Sequence, residues 1–97
     1  LAKKSKITGK PKKKESTKKK VFNKKTHFLW LLGQHIKSLR EKKKLTQLDL
    51  GSYVNKDRQS IQRLEVGNVN PTINYLREIA EGLEVPLKKL MDFKMGD

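Results

Sequence analysis

TQLDLGSYVNKDRQSIQRLEVG, residues 46–67, reads as two short helices separated by a break too tight to be a loop. Leu50 and Val54 stand at i and i+4 on one face of the first, with small Gly51 beside them. Ile61 and Leu64 stand at i and i+3 on one face of the second. Between them Asn55, Lys56 and Asp57 supply a turn. Asparagine tolerates a left-handed backbone, and aspartate is a good N-cap for the second helix. Two helices joined this closely share one small core, so they must cross steeply, and the opposite face of the second is left free. That face carries Arg58, Gln59, Gln62, Arg63 and Val66. Arginine and glutamine have paired donors and acceptors that match guanine and adenine edges in the major groove, so the pattern points to double-stranded DNA.

Outward from this pair the chain remains helical. From Phe28 to Lys44 the apolar residues Leu29, Leu32, Ile36 and Leu39 recur at steps of three and four, and Lys42, Lys43 and Lys44 suit a helix C-terminus. Thr46 opens the next helix with Asp49 as its capping-box partner. Asp57 caps the third, Gly67 ends it as a left-handed residue, and residues 66–70 form a loop. Pro71 and Thr72 begin a fourth helix striped by Leu76, Ile79, Ala80 and Leu83. Pro86 stops that run and opens a short fifth helix with Leu87, Leu90 and Met91 inward. The expected fold is all-α, a compact bundle of about five helices over residues 27–97 containing the helix-turn-helix. Neither a strand signal nor an internal repeat interrupts it.

Charge divides the chain. Residues 1–27 hold 12 lysines and one acid, a net +11, whereas the remaining residues hold 12 basic and 9 acidic side chains, a net +3. In residues 1–26 the isolated Ile7, Val21 and Phe22 follow no period, and Gly9 and Pro11 interrupt the lysine runs. Such a segment buries too little apolar surface to offset its ordering entropy and reads as a disordered basic tail. Lysine runs bind polyanions without reading sequence, so the tail reads as a phosphate-binding arm ahead of the folded domain; the bland alternative is a solubilising extension. KPKKK also fits a nuclear-localisation pattern, as any lysine run does.

Other classes of function find little support. Cysteine is absent, so neither a disulfide nor a thiolate metal site is available. His27 and His35 have no acid spaced to complete a metal site or a nucleophile pair, and no glycine-rich phosphate loop appears. The chain therefore reads as a protein without cofactor or catalysis. FLWLL at residues 28–32 is too short to span a bilayer and lacks a following cleavage site, which favours a soluble, cytoplasmic protein. Its first residue is Leu rather than Met, which suggests a trimmed or incomplete chain.

The residues from about Leu32 to Leu90 resemble the helix-turn-helix family of lambdoid phage repressors and Cro, also called the XRE family. The resemblance rests on Leu32-Gly33, Ile36, Leu39-Arg40, Thr46-Gln47, Leu50, Ile61, Leu64-Glu65, Gly67, Pro71-Thr72, Leu76, Ile79-Ala80 and Leu83 to Val85. It implies that Arg58, Gln59, Gln62 and Arg63 read bases, and that Gln47 bonds a DNA phosphate and buttresses the reading helix. It also implies that Arg40 and Glu65 form a structural ion pair. Two positions depart from the family pattern: Asn55 stands where glycine is usual, and Gly51 where alanine is usual. On helix propensity alone, Gly51 weakens its helix by about 1 kcal/mol relative to alanine.

Ser60, Asn68, Asn70, Thr72 and Lys44 are further candidates for phosphate, the middle three because free amides at a helix start attract it. A single domain of this size touches too few base pairs to locate one site, so a homodimer on a short pseudo-palindromic operator is expected. Apolar residues left over at the two ends are candidates for the subunit contact, Phe28, Trp30 and Leu31 at one and Leu87, Leu90, Met91, Phe93 and Met95 at the other, and the resemblance favours the C-terminal group. Phe28, Trp30 and Phe93 folding onto one another within one subunit is the alternative. The function implied is a sequence-specific transcriptional regulator, a repressor or autoregulator of the phage, controller or antitoxin type. A toxin or the transcription machinery is a conceivable protein partner. Its rivals are a bridging coactivator and a nonspecific nucleic-acid-binding protein.

Overall fold

The computed structural model describes residues 24–94, and among them five helices follow one another with no strand: α1 (Lys24–Lys42), α2 (Gln47–Val54), α3 (Arg58–Glu65), α4 (Ile73–Leu83) and α5 (Leu87–Leu90). The disorder expected of the tail concerns residues 1–23 above all, which lie outside the described ones. Helix α1 begins before the expected Phe28 and takes in the supposed boundary at residues 26 and 27. Apolar periodicity could not show this, because the first turn is Lys24, Lys25, Thr26 and His27. The helix also stops short of Lys44, which adopts a left-handed φ of 60° and turns the chain toward α2.

Side chains cap each of the next three helices. The Thr46 hydroxyl accepts from the Asp49 amide at 3.0 Å, and the Asp49 carboxylate accepts from the Thr46 amide at 2.9 Å. Asp57 accepts from the Ser60 amide at 2.8 Å, and Thr72 from the Tyr75 amide at 3.0 Å. These bonds hold Asp49 below the ordinary carboxylate range through Thr46, and Asp57 through Ser60. A pKa lowered by folding gives stability that is present above about pH 4–5 and lost as the pH falls through the lowered value. Asparagine caps nearly as well but does not titrate there. In Asp57→Asn the melting temperature should therefore fall less steeply between pH 5 and 3 than in the parent chain; parallel curves would refute the role of the carboxylate.

The core draws on every helix: Leu32, Ile36 and Leu39 from α1, Leu50 and Val54 from α2, Ile61 and Leu64 from α3, Leu76, Ile79, Ala80 and Leu83 from α4, and Leu90 from α5. Full burial of each large member stabilises by about 1.5–3 kcal/mol. Leu29 is only half-buried. At Gly33 α1 and α3 come so close that a Cβ would lie 2.3 Å from the Glu65 carbonyl oxygen and 2.4 Å from that of Leu64. Gly51 serves the same end. A Cβ there would lie 2.5 Å from the Lys56 carbonyl oxygen, so the turn's backbone opposes the gain in propensity expected of alanine.

At the C-terminal end the four described residues expected at a subunit contact sit in different environments within one subunit. Leu90 is fully buried in the core, because the i, i+3 spacing of Leu87 and Leu90 turns one face of the single-turn α5 onto the bundle. Leu87 packs half-buried beside it. Phe93 is also half-buried, with its ring centroid 5.6 Å from those of both Phe28 and His35. His35 Nε2 lies 2.7 Å from the Lys89 carbonyl oxygen in the same corner. Phe28 and Phe93 thus meet within one subunit, whereas Trp30 stays half-exposed and stacks on His27. Of the four candidates, Met91 alone is exposed, because it follows α5 as its cap.

Candidate nucleic-acid interface

Helix α3 is short enough that each residue has one clear direction. At 3.6 residues per turn, Ile61, Leu64 and Glu65 face the bundle and are buried, while Arg58, Gln59, Gln62 and Arg63 are exposed. Val66, the C-cap, extends the exposed face. The turn that presents this face depends on Asn55, whose φ of 60° is the left-handed geometry expected of it. Lys56 closes the turn by donating its amide to the Gly51 carbonyl at 2.8 Å.

Opposite the exposed face, Glu65 fastens α3 to the rest of the fold. Its carboxylate accepts from Arg40 Nε at 2.6 Å, Arg40 Nη2 at 3.1 Å and Gln47 Nε2 at 3.0 Å. Arg40 Nη1 also donates to the Leu45 carbonyl at 2.8 Å, and Gln34 Nε2 donates to the Glu65 carbonyl at 3.0 Å. Glu65 is 1 % exposed and Arg40 7 %, so this is a two-pronged ion pair away from water. Gln47, the first residue of α2, buttresses α3 through that carboxylate.

The phosphate candidates separate. Ser60, Asn70 and Thr72 meet in an open groove between α3 and the start of α4, where Arg63 joins them. Gln47, Lys44 and Asn68 do not line it; Lys44 and Asn68 are exposed elsewhere, and the Asn68 amide donates to the Arg63 carbonyl at 2.9 Å. The groove adds two residues that sequence reasoning missed, Lys56 and Tyr75. The Lys56 ammonium lies 5.2 Å from the centroid of the Tyr75 ring. Burial pushes the Tyr75 hydroxyl above its usual pKa, and the negative charges of Asp57 and Glu78 add to that. No local pattern announces these two, since they meet only where α4 packs back against the turn. Among the described residues no group of histidines and acids is placed to hold a metal ion, and no helix is long and apolar enough to cross a membrane.

This arrangement has counterparts among known proteins. A family model described as helix-turn-helix matches residues 36–90, more than half of the chain. The crystal structure of the restriction-modification controller protein C.AhdI from Aeromonas hydrophila is similar with a TM-score of 0.63 at 27 % identity, covering 66 % of this chain and 96 % of that one. A mutant of the controller protein C.Esp1396I is similar with a TM-score of 0.62 at 35 % identity, covering 67 % and 82 %. The C.Esp1396I tetramer in complex with its natural 35 base-pair operator gives a TM-score of 0.58 at 33 % identity, covering 67 % and 96 %. The comparison with curated proteins found no match.

Proposed function

The chain belongs to the helix-turn-helix family, and from that premise we propose that it is a transcription regulator that reads a short pseudo-palindromic operator as a dimer, with α3 in the major groove. One observation carries this reading: α3 is locked through Glu65 on one side and presents exposed Arg58, Gln59 and Gln62 on the other. A helix that must enter a groove needs this division, because base contacts demand a fixed register while the contacting side chains stay free for the ligand. The similar controller protein solved on its operator as a tetramer supports an oligomeric mode of binding. For the subunit contact, Met91 is the exposed apolar candidate among the described residues of the C-terminal end; Met95 lies outside them. Repression or autoregulation follows if the operator overlaps a promoter. The lysine-rich tail serves as an arm that adds phosphate contacts without sequence preference.

Selecting bound duplexes from a random pool with the full chain tests this. The expected product has two-fold symmetry, with half-sites about 10 bp apart, and binds at least about 1,000-fold tighter than random duplex at the same salt. A chain lacking residues 1–23 should bind both duplexes more weakly, with a shallower slope of log K against log salt. An asymmetric product would overturn the dimer. No enrichment at all would leave only the nonspecific binder that the lysine content of the tail suggests.

A further inference from the structure

The exposed face of α3 is free, but the C-terminal end of the helix is held. Its turn takes up three of the last carbonyls: Gln62 accepts from the Val66 amide at 3.1 Å, Arg63 from that of Asn68 at 2.9 Å and Leu64 from that of Gly67 at 3.2 Å. Gly67, at a φ of 80°, makes that turn possible. The Glu65 carbonyl is left for another donor, and Gln34 Nε2 reaches it from α1 at 3.0 Å. The approach depends on the residue before Gln34 having no side chain, since a Cβ on Gly33 would lie 2.3 Å from that same oxygen. About one turn earlier α1 is close again: a Cβ on Gly67 would lie 2.8 Å from the Trp30 nitrogen and Cα. Backbone thus meets backbone along residues 30–33, and Gln34 bonds across the seam.

The other tethers of α3 are of a different kind. Arg40 and Gln47 both hold the Glu65 carboxylate, which joins the helix through a rotatable side chain. They fix the end of a lever, about which the helix can still roll by small amounts. Gln34 holds a backbone oxygen of α3 itself and resists that roll. We propose that Gln34 is a positioning residue for recognition, which sets the roll and height of α3 and so decides where Arg58, Gln59 and Gln62 stand against base edges. The proposal rests on the reading of α3 as the helix that enters the groove, and names what aims it. Base contacts need placement to within about 0.5 Å, whereas attraction to phosphate charge tolerates such a shift. Loss of the tether therefore weakens discrimination and spares general affinity.

Gln34→Met keeps the length of the side chain and removes its donor; Gln34→Asn keeps the donor but falls one methylene short. In the full chain either should lower the ratio of operator to random-duplex affinity about tenfold, with random-duplex binding unchanged at the same salt. The melting temperature should fall by about 4–8 °C, as for the loss of one hydrogen bond. Val85→Ala truncates a half-buried side chain packed on the core away from this seam, and should melt lower while keeping the ratio. Residual dipolar couplings of the backbone amides, measured without DNA, should show α3 reoriented against α1 in Gln34→Met and not in Val85→Ala. An unchanged ratio, an equal loss on both duplexes, or the same loss of ratio in Val85→Ala would each overturn the proposal. So would an α3 that stays in place in Gln34→Met. Because the dipolar couplings need no DNA, they decide the point even if the parent chain enriches no operator, a result that would count against the reading of α3 instead.

Discussion

Glu65→Ala should cost the domain about 3–5 kcal/mol, because it leaves the Arg40 guanidinium buried without its counter-charge. A folded unit of this size has roughly 4–10 kcal/mol of stability in all, so the variant should be extensively unfolded at physiological temperature. Urea denaturation followed by circular dichroism measures the loss as a lowered midpoint at constant m-value. The stranded charge, rather than the missing pair, is the source. Arg40→Met combined with Glu65→Leu should accordingly recover most of the stability, since packed apolar groups often replace a buried ion pair at no net cost. Gln47 and the Leu45 carbonyl lose partners in the double variant, but water reaches half-buried Gln47. A single variant that loses under 1 kcal/mol would mean that the pair is not what ties α1 to α3.

Gln59→Ala should reduce discrimination between operator and random duplex by about 1–3 kcal/mol, a factor of roughly 5–150, with no loss of affinity for random DNA. Arg58→Ala should reduce discrimination by a similar amount and also weaken binding to every duplex, because it removes a charge as well as a base contact. Neither should move stability by more than about 0.5 kcal/mol, since both side chains are exposed and make no hydrogen bond within the protein among the described residues. Competition binding with the selected operator reads both numbers. An operator-to-random ratio that survives both substitutions would show that α3 is not the reading helix.

Much of the fold was legible because its signals are local. Thr46 with Asp49, Asp57, Asn55 and Gly67 each mark a cap or a reversal within a few residues, and the structure places caps and positive φ at those positions. The all-α bundle follows from them and from the apolar spacing. What escaped notice depends on packing between distant segments. Leu90 and Met91 are adjacent apolar residues, and only the docking of α5 on α1 and α4 decides that one is core and the other surface. The start of α1 carries no apolar residue to mark it. Gly51 invites an argument from propensity, but the carbonyl of Lys56 pressing on it is a contact across the turn. At the interface the exposed face of α3 was readable from spacing within a single helix. The groove with Lys56 and Tyr75 was not, because it exists only where the start of α4 packs back against the turn before α3.

Within its eight residues α3 keeps its holding side and its exposed side apart, and this bears on how such a protein changes over time. Glu65, Ile61 and Leu64 maintain the fold, and substitution there is expensive. Gln59 and Gln62 hold nothing in place, so almost any polar residue can replace them without loss of the native state. If α3 reads bases as proposed, duplicated copies of this chain can drift to new target sequences one side chain at a time, each intermediate still folded. Divergence of recognition is decoupled from survival of the scaffold, which is the condition for one fold to spread across many unrelated operators.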